Sequence, residues 1–352
     1  MDRIGRLVDE ALAKGLGSAA AVSVGDGGHE VFRYRVGTVR RLPDRGPALD
    51  DDTRFDLASV TKPMATVAIA MVLVAEGKLE LDAPVRTYLH DAATQATVRQ
   101  LLAHSAGCAA HVEFFRYLRT VLPQNPREVL ALRAMREPCD APGVTSIYSD
   151  LGFIQLGAVL ERAAGMPLDA AFAQLVGDPL GLGARYAQRE PISNCVATEL
   201  DDRGLVCGLV HDENCYYSGG VAGHAGLFAT IDDVMKFAIA IVDTAAGTPR
   251  GRFTTEVVTH FFTSAPVAST WRLGWDTPSP IMGVSQAGDR WPRTGAVGHT
   301  GFTGTSLWLD LPHRRWVALL TNRVHPTRHL DTADRIKALR RAVNDAVVDE
   351  LG

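Results

Sequence analysis

Residues 59–76 read as a helix that is apolar on nearly every side, with Met64, Val67, Ile69, Met71, Val72, Leu73 and Val74 spread around its circumference. A helix without a polar face must be enclosed by protein, so this segment predicts a central helix with other elements packed all around it. Gly77 suits the position just past its C-terminus. Pro63 is tolerated only in a first helical turn, which places Ser59 at the N-terminal tip. Backbone N–H groups point outward there and can hold a developing negative charge. The chain has 352 residues, more than one simple core needs, so one large two-lobed domain or two domains is expected.

Around this segment the patterning moves from strand to helix and back. Residues 7–16 read as a helix, and 19–24 with 30–34 as a hairpin turned by Gly25-Asp26-Gly27-Gly28. The middle third reads as helical. Thr97-Val98-Arg99-Gln100 has capping-box spacing, 127–136 and 151–164 follow as helices, and Thr230-Ile231-Asp232-Asp233 caps another. Residues 305–311 and 315–322 read as strands joined at Pro312-His313. Residues 330–351 form an amphipathic helix with Ile336, Leu339, Val343 and Val347 on one face. Strands at both ends with helices between them predict one sheet built from both termini, carrying a helical insertion.

The net charge of −4 offers nucleic acid or an anionic membrane no electrostatic foothold, so neither is an expected partner. No stretch reaches the ~18 consecutive apolar residues of a membrane span. Residues 1–6 run into an amphipathic helix and not into an apolar signal core, so the expected location is a reducing cytoplasm. Five cysteines, an odd number without Cys-x-x-Cys spacing, argue against a disulfide framework. Cys207, His211, Cys215 and His224 lie close in sequence, but their spacing fits no standard zinc pattern. No metal or organic cofactor is expected.

Three short motifs carry chemistry. Lys62 follows Ser59 by three residues and so lies on the same helical face. Buried beside the hydroxyl, an amine can lose its proton and activate the serine as a nucleophile. Tyr148-Ser149-Asp150 enters the helix at 151, with Ser149 or Asp150 available as its cap. His299, in Gly298-His299-Thr300-Gly301-Phe302, stands between glycines before a strand, where a substrate backbone can approach closely.

In that order and at those separations the three motifs resemble the penicillin-recognising serine hydrolases of the class C β-lactamase and D-alanyl-D-alanine carboxypeptidase type. Phe55-Asp56-Leu57-Ala58, Leu101–Gly107, Gly219–Thr230 and Leu319–Asn322 extend the resemblance over about residues 5–350. It implies an α/β (α+β) fold in one domain: an antiparallel sheet flanked by helices, with an all-helical lobe across a cleft. The α/β lobe would come from about 1–75 and 285–352, and the helical lobe from about 76–284. The resemblance further implies Ser59 as nucleophile, Lys62 as its proton acceptor and Tyr148 as the second proton shuttle. It implies an oxyanion hole from the backbone N–H groups of Ser59 and Phe302, with Thr300 and Gly301 against the substrate. A phenol shuttles protons only if cations stabilise its phenolate, and Lys62 and His299 are the candidates.

Two residues depart from the family pattern. Asp150 stands where asparagine is usual, and can pair with Lys62, select a cationic substrate, or simply cap its helix. His299 stands where β-lactamases carry lysine, which weakens recognition of a penicillin or peptide carboxylate. Val210–Tyr217 is a dense polar loop in which His211 and Asp212 can either bind substrate or satisfy each other. Trp271 and Trp275 can wall an acyl pocket or pack in the core. The expected activity is that of a serine hydrolase acting through an acyl-enzyme on a small-molecule or short-peptide ester or amide, of esterase or D-amino-acid peptidase type. Acyl transfer, β-lactam hydrolysis and a non-catalytic ligand sensor are the alternatives.

Overall fold

The computed structural model describes all 352 residues. Helix α1 (Asp2–Ala13) leads into the hairpin β1 (Ala19–Asp26) and β2 (His29–Gly37). The chain then leaves the sheet through the central helical segment, whose regular α part is α2 (Ala68–Ala75). Next come α3 (Val98–Leu102), α4 (Pro126–Arg136), α5 (Asp150–Ala164), the short α6 (Glu213–Tyr217) and α7 (Ile231–Ala245). It returns through β3 (Ala296–Thr300), β4 (Ser306–Asp310) and β5 (Arg315–Thr321), and ends in α8 (Ala333–Leu351). Strand order is β2-β1-β5-β4-β3, antiparallel throughout, so the two ends of the chain share one sheet.

Alternation along the central strands explains the layers. Val22 and Val24 of β1 with Val317 and Leu319 of β5 face α1 and α8, meeting Ile4, Val8, Ile336, Leu339 and Val343. Ala19 and Ala21 with Trp316, Ala318 and Leu320 point the other way, into the larger core that encloses α2. Strands buried on both faces need helices on both faces. The second cover is α7, which packs on β1, β4 and β5. A division of lobes at residue 284 would leave α7 in the helical lobe; its apolar face of Val234, Phe237 and Ile241 instead completes the sheet's core.

The central segment is not one continuous α-helix. It opens with a 3₁₀ turn (Ala58–Val60), widens to a π turn (Lys62–Val67) and only then becomes α2. Pro63 has no N–H to donate, and the Thr66 hydroxyl donates to the Gly223 carbonyl at 2.6 Å, so the first turns are tied sideways to another loop. Irregular turns of this kind concentrate at functional sites. All of Lys62–Leu73 is buried.

Candidate active site

Ser59 sits at the tip of the buried segment, directly after Ala58, whose φ of +47° is unfavourable for a residue with a Cβ. Asp56 holds that turn: its Oδ1 accepts from the Ala58 N–H at 2.8 Å, and its Oδ2 from the His211 N–H at 2.7 Å. The turn after β3 clamps the same stretch. Thr303 and Thr305 donate their hydroxyls to the carbonyls of Asp56 and Leu57, each at 2.8 Å. Gly301 is needed there, because a Cβ would come within 2.1 Å of Thr305 Oγ1 and 2.5 Å of the Leu57 oxygen. The neighbouring Phe302 lines the cleft with Ser59, and its N–H has no acceptor within the chain.

Lys62 Nζ donates to Ser59 Oγ at 3.0 Å, to Asp150 Oδ1 at 2.7 Å and to the His224 carbonyl at 3.2 Å. Three donors with three acceptors is the bonding of an ammonium, not of a neutral amine. Burial would lower the lysine, but the charge and hydrogen bond of Asp150, together with those of Tyr148, outweigh it and raise it above its ordinary value. Burial would likewise raise Asp150, yet Lys62, then His111 and His224, hold it well below the usual carboxylate range. Of the roles open to Asp150, pairing with Lys62 is the one taken, so the lysine expected to shed its proton as a base rests instead in an ion pair. Asp150 is free for this because Ser149 caps α5, its Oγ accepting from the Gly152 N–H at 3.0 Å.

Tyr148 stands on the other side, with the Lys62 nitrogen 4.8 Å from its ring centroid. Burial pushes its hydroxyl above the ordinary phenol value, and Lys62 offsets this only in part because the Asp150 charge works against it. His299 contributes no cation. Its ring is 2% exposed, and burial followed by the Lys62 charge brings it down to about 3. Of the two candidate cations for a Tyr148 phenolate His299 is thus excluded, and Tyr148 rests as a neutral phenol beside an ion pair and a neutral imidazole. Trp271 lies tilted against both rings, its centroid 5.3 Å from that of Tyr148 and 5.6 Å from that of His299, and walls the cleft, whereas Trp275 is fully buried against Phe237 and Phe262.

The cleft encloses about 760 Å³ and is lined by Ser59, Tyr148, Asp150, His299, Thr300, Gly301 and Phe302. His211 and Asp212 also border it, each with one side-chain polar atom engaged and the other, His211 Nδ1 and Asp212 Oδ2, without a partner in the chain. His211 Nε2 pairs with Glu199 at 2.8 Å, and Asp212 caps α6 and meets His224 Nε2 at 2.9 Å. Glu199 is held at about 2: burial alone would raise it, but bonds from His211 and from Arg328 prevail. The four candidate zinc side chains have separate partners, with Cys215 donating to the Ala225 carbonyl and Cys207 to the Cys195 carbonyl.

Sequence reasoning did not assign roles to Asp56, His104 or His111. His104 accepts the Ser149 N–H at 3.1 Å and packs its ring 4.7 Å from that of Tyr148, so it fixes the tyrosine loop. Burial takes its basicity well below the ordinary value, which keeps Nδ1 free to accept. His111 lies 3.5 Å from Asp150 Oδ2 at the mouth of the cleft, and that contact raises it. Asp56 and His104 fall inside the two segments that flank the nucleophile in the family pattern, which was the available signal. His111 has no such signal.

Comparison with known proteins agrees with this architecture. The Beta-lactamase family model matches residues 4–341. A protein of Escherichia coli K12 that carries the name D-alanyl-D-alanine carboxypeptidase is 30% identical over 311 residues, spanning 78% of this chain and 70% of its own. The octameric penicillin-binding protein homologue from Pyrococcus abyssi superposes with a TM-score of 0.75 at 18% identity, over 99% of this chain and 77% of that one. EstCE1, described as a hydrolase with promiscuous acyltransferase activity, gives 0.75 at 22% identity, over 97% and 98%. The chain belongs to the β-lactamase family, as a hydrolase of the penicillin-binding type.

Proposed function

We propose that the protein is a serine hydrolase that forms an acyl-enzyme at Ser59 with an ester or amide substrate. The observation that carries this reading is the contact at 3.0 Å between Ser59 Oγ and the buried Lys62 Nζ, in a cleft that also presents Tyr148 and the free Phe302 N–H. The resting ion pair sets the first step. Moving one proton across the 2.7 Å between Lys62 Nζ and Asp150 Oδ1 gives a neutral amine and a neutral acid. A substrate that expels water favours this form, because separated charge is costlier at low dielectric.

Lys62 then takes the Ser59 proton as Oγ attacks the carbonyl carbon, and the oxyanion meets the N–H groups of Ser59 and Phe302. Tyr148, held neutral, gives its proton to the leaving oxygen or nitrogen. The phenolate is stabilised by the Lys62 ammonium and takes a proton from water, which attacks the acyl group. Lys62 returns its proton to Ser59 as the acid departs, and Asp150 hands its proton back to Lys62, which restores the ion pair. An alcohol or amine in place of water would give acyl transfer.

Ester and amide hydrolysis are favoured over β-lactam turnover by the neutral His299, which offers no permanent charge to a penicillin carboxylate. The carboxypeptidase-named relative supports the peptidase form and EstCE1 the esterase form. The test is intact mass spectrometry after incubation with a fluorophosphonate. One covalent adduct on Ser59, absent in Ser59→Ala, is expected; folded protein that stays unmodified would sink the acyl-enzyme reading. A panel of nitrophenyl esters, D-aminoacyl anilides and a chromogenic cephalosporin then ranks the substrates, with the cephalosporin expected to be slowest.

A further inference from the structure

Of the four buried lysines and arginines, Lys62 pairs with Asp150 and Arg315 with Asp26. The other two have no such partner. Arg323 and Arg340 are 6% and 4% exposed, line the cleft that holds Ser59, and have no carboxylate within ion-pair distance. Arg340 donates Nη1 to Gln286 Oε1 at 2.6 Å and Nη2 to the Gly301 and Thr305 carbonyls at 2.8 and 2.7 Å, leaving Nε without an acceptor. Arg323 donates only from Nη1, to Thr332 Oγ1 at 3.3 Å, and its guanidinium lies 4.5 Å over the Phe302 ring.

Two guanidiniums buried against the same turn, Arg340 on the Gly301 carbonyl and Arg323 over the Phe302 ring, without a counter-ion are costly for the free protein. Burial lowers both below the ordinary arginine value, helped by the Arg328 charge at Arg323 and by the Arg323 charge at Arg340, which falls to about 9. The planar fork of arginine matches a carboxylate in bidentate fashion, and an arriving anion would relieve the uncompensated charge. The position is also informative. Arg340 grips the carbonyl of Gly301, one residue before the Phe302 N–H, so an anion bound here sits against the turn that presents the oxyanion donor.

We propose that Arg323 and Arg340 form an anion subsite, and that the substrate acylating Ser59 carries a carboxylate that binds there. The proposal rests on the acyl-enzyme reading above. It moves recognition of negative charge from the third motif, where His299 is neutral, to the pair of arginines beyond it.

The test uses two matched pairs of esters, each normalised to its rate with hydroxide. One pair places the charge on the acyl side, as 4-nitrophenyl hydrogen glutarate against its methyl ester. The other places it on the leaving group, as the butyrate of 4-hydroxybenzoate against that of methyl 4-hydroxybenzoate. The expected kcat/KM ratio of acid to neutral ester is about tenfold or more in at least one pair. It falls toward unity in Arg323→Gln and is partly kept in Arg323→Lys. No preference in either pair, which the unaltered protein alone can reveal, or a preference unchanged in Arg323→Gln, would overturn the subsite. If neither the neutral esters nor a fluorophosphonate modify Ser59, the acyl-enzyme reading fails instead. Calorimetric binding of glutarate to the unaltered protein, Ser59→Ala and Arg323→Gln then decides the subsite alone: binding lost only in Arg323→Gln supports it, and binding absent or indifferent to Arg323 overturns it.

Discussion

The cleft holds buried positive charge at two places, and they are built in opposite ways. At Lys62 every donor has an acceptor, and a carboxylate at 2.7 Å neutralises the ammonium. At Arg323 and Arg340 the guanidiniums touch carbonyls, an amide, a hydroxyl and an aromatic face, but no carboxylate. A group that moves protons during the reaction has to be held in one geometry beforehand, so its hydrogen bonds are closed. A group that waits for a ligand must leave part of its bonding open. On the acyl-enzyme and anion-subsite proposals, the contrast separates chemistry from recognition within a single cavity.

Removing the closed end should have the largest effect. Ser59→Ala and Lys62→Met are each expected to lower kcat/KM for a nitrophenyl ester by roughly 10³-fold or more, and the double variant by little more than either. Additive losses would show that the two do not act as a unit. Gly301→Ala strikes the link between the two ends, since its Cβ collides with Thr305 Oγ1 and the Leu57 carbonyl. Displacing the Phe302 N–H should cost about 10²-fold in kcat, with circular dichroism checking that the fold persists.

Asp150→Asn tests whether the ion pair is the working base. Without a carboxylate to hand its proton to, Lys62 stays protonated until the pH passes its own pKa. The acid limb of the kcat/KM profile should therefore move upward, with a loss of about 10- to 100-fold at pH 7 that shrinks as the pH rises. A profile displaced downward in pH would mean that Asp150 only holds Lys62 back.

The smallest effect is one of stability. Glu199 is held at about 2 against an ordinary value near 4.5, so its contribution is present above that ordinary value and is lost as the pH falls toward 2. Glu199→Gln should lower Tm by about 2–5 °C at pH 7, and the difference from the unaltered protein should close between about pH 4.5 and 2. A gap that stays constant across that range would assign the loss to packing and not to charge.

Much of the architecture was legible because it rests on local rules. The capping boxes at Thr97 and Thr230 have both reciprocal bonds, and Gly165 ends α5 in the left-handed region. The stripe Ile336, Leu339, Val343, Val347 is the face that α8 turns to the sheet. The strand segments at the two chain ends lie side by side in the single sheet they were expected to form. What could not be read locally is where side chains from distant segments meet. His111 reaches Asp150 from 39 positions away, and Arg340 reaches the 301–305 turn from the last helix, with no sequence period linking either pair.

The sequence by itself determined that a helix apolar on all sides must be enclosed, that Pro63 puts Ser59 at its tip, and that Lys62 shares its face. Those are consequences of helical geometry and solvation within one short segment. Only the tertiary structure decided the charge states. Asp150 was open to capping a helix, choosing a substrate or pairing with lysine; Ser149 took the cap, and the carboxylate went to Lys62. A histidine at the third motif leaves its charge open, and burial beside that lysine keeps His299 neutral. The protonation of a group depends on what long-range folding places within a few ångströms of it and on how much water remains, and neither is written in the spacing of residues.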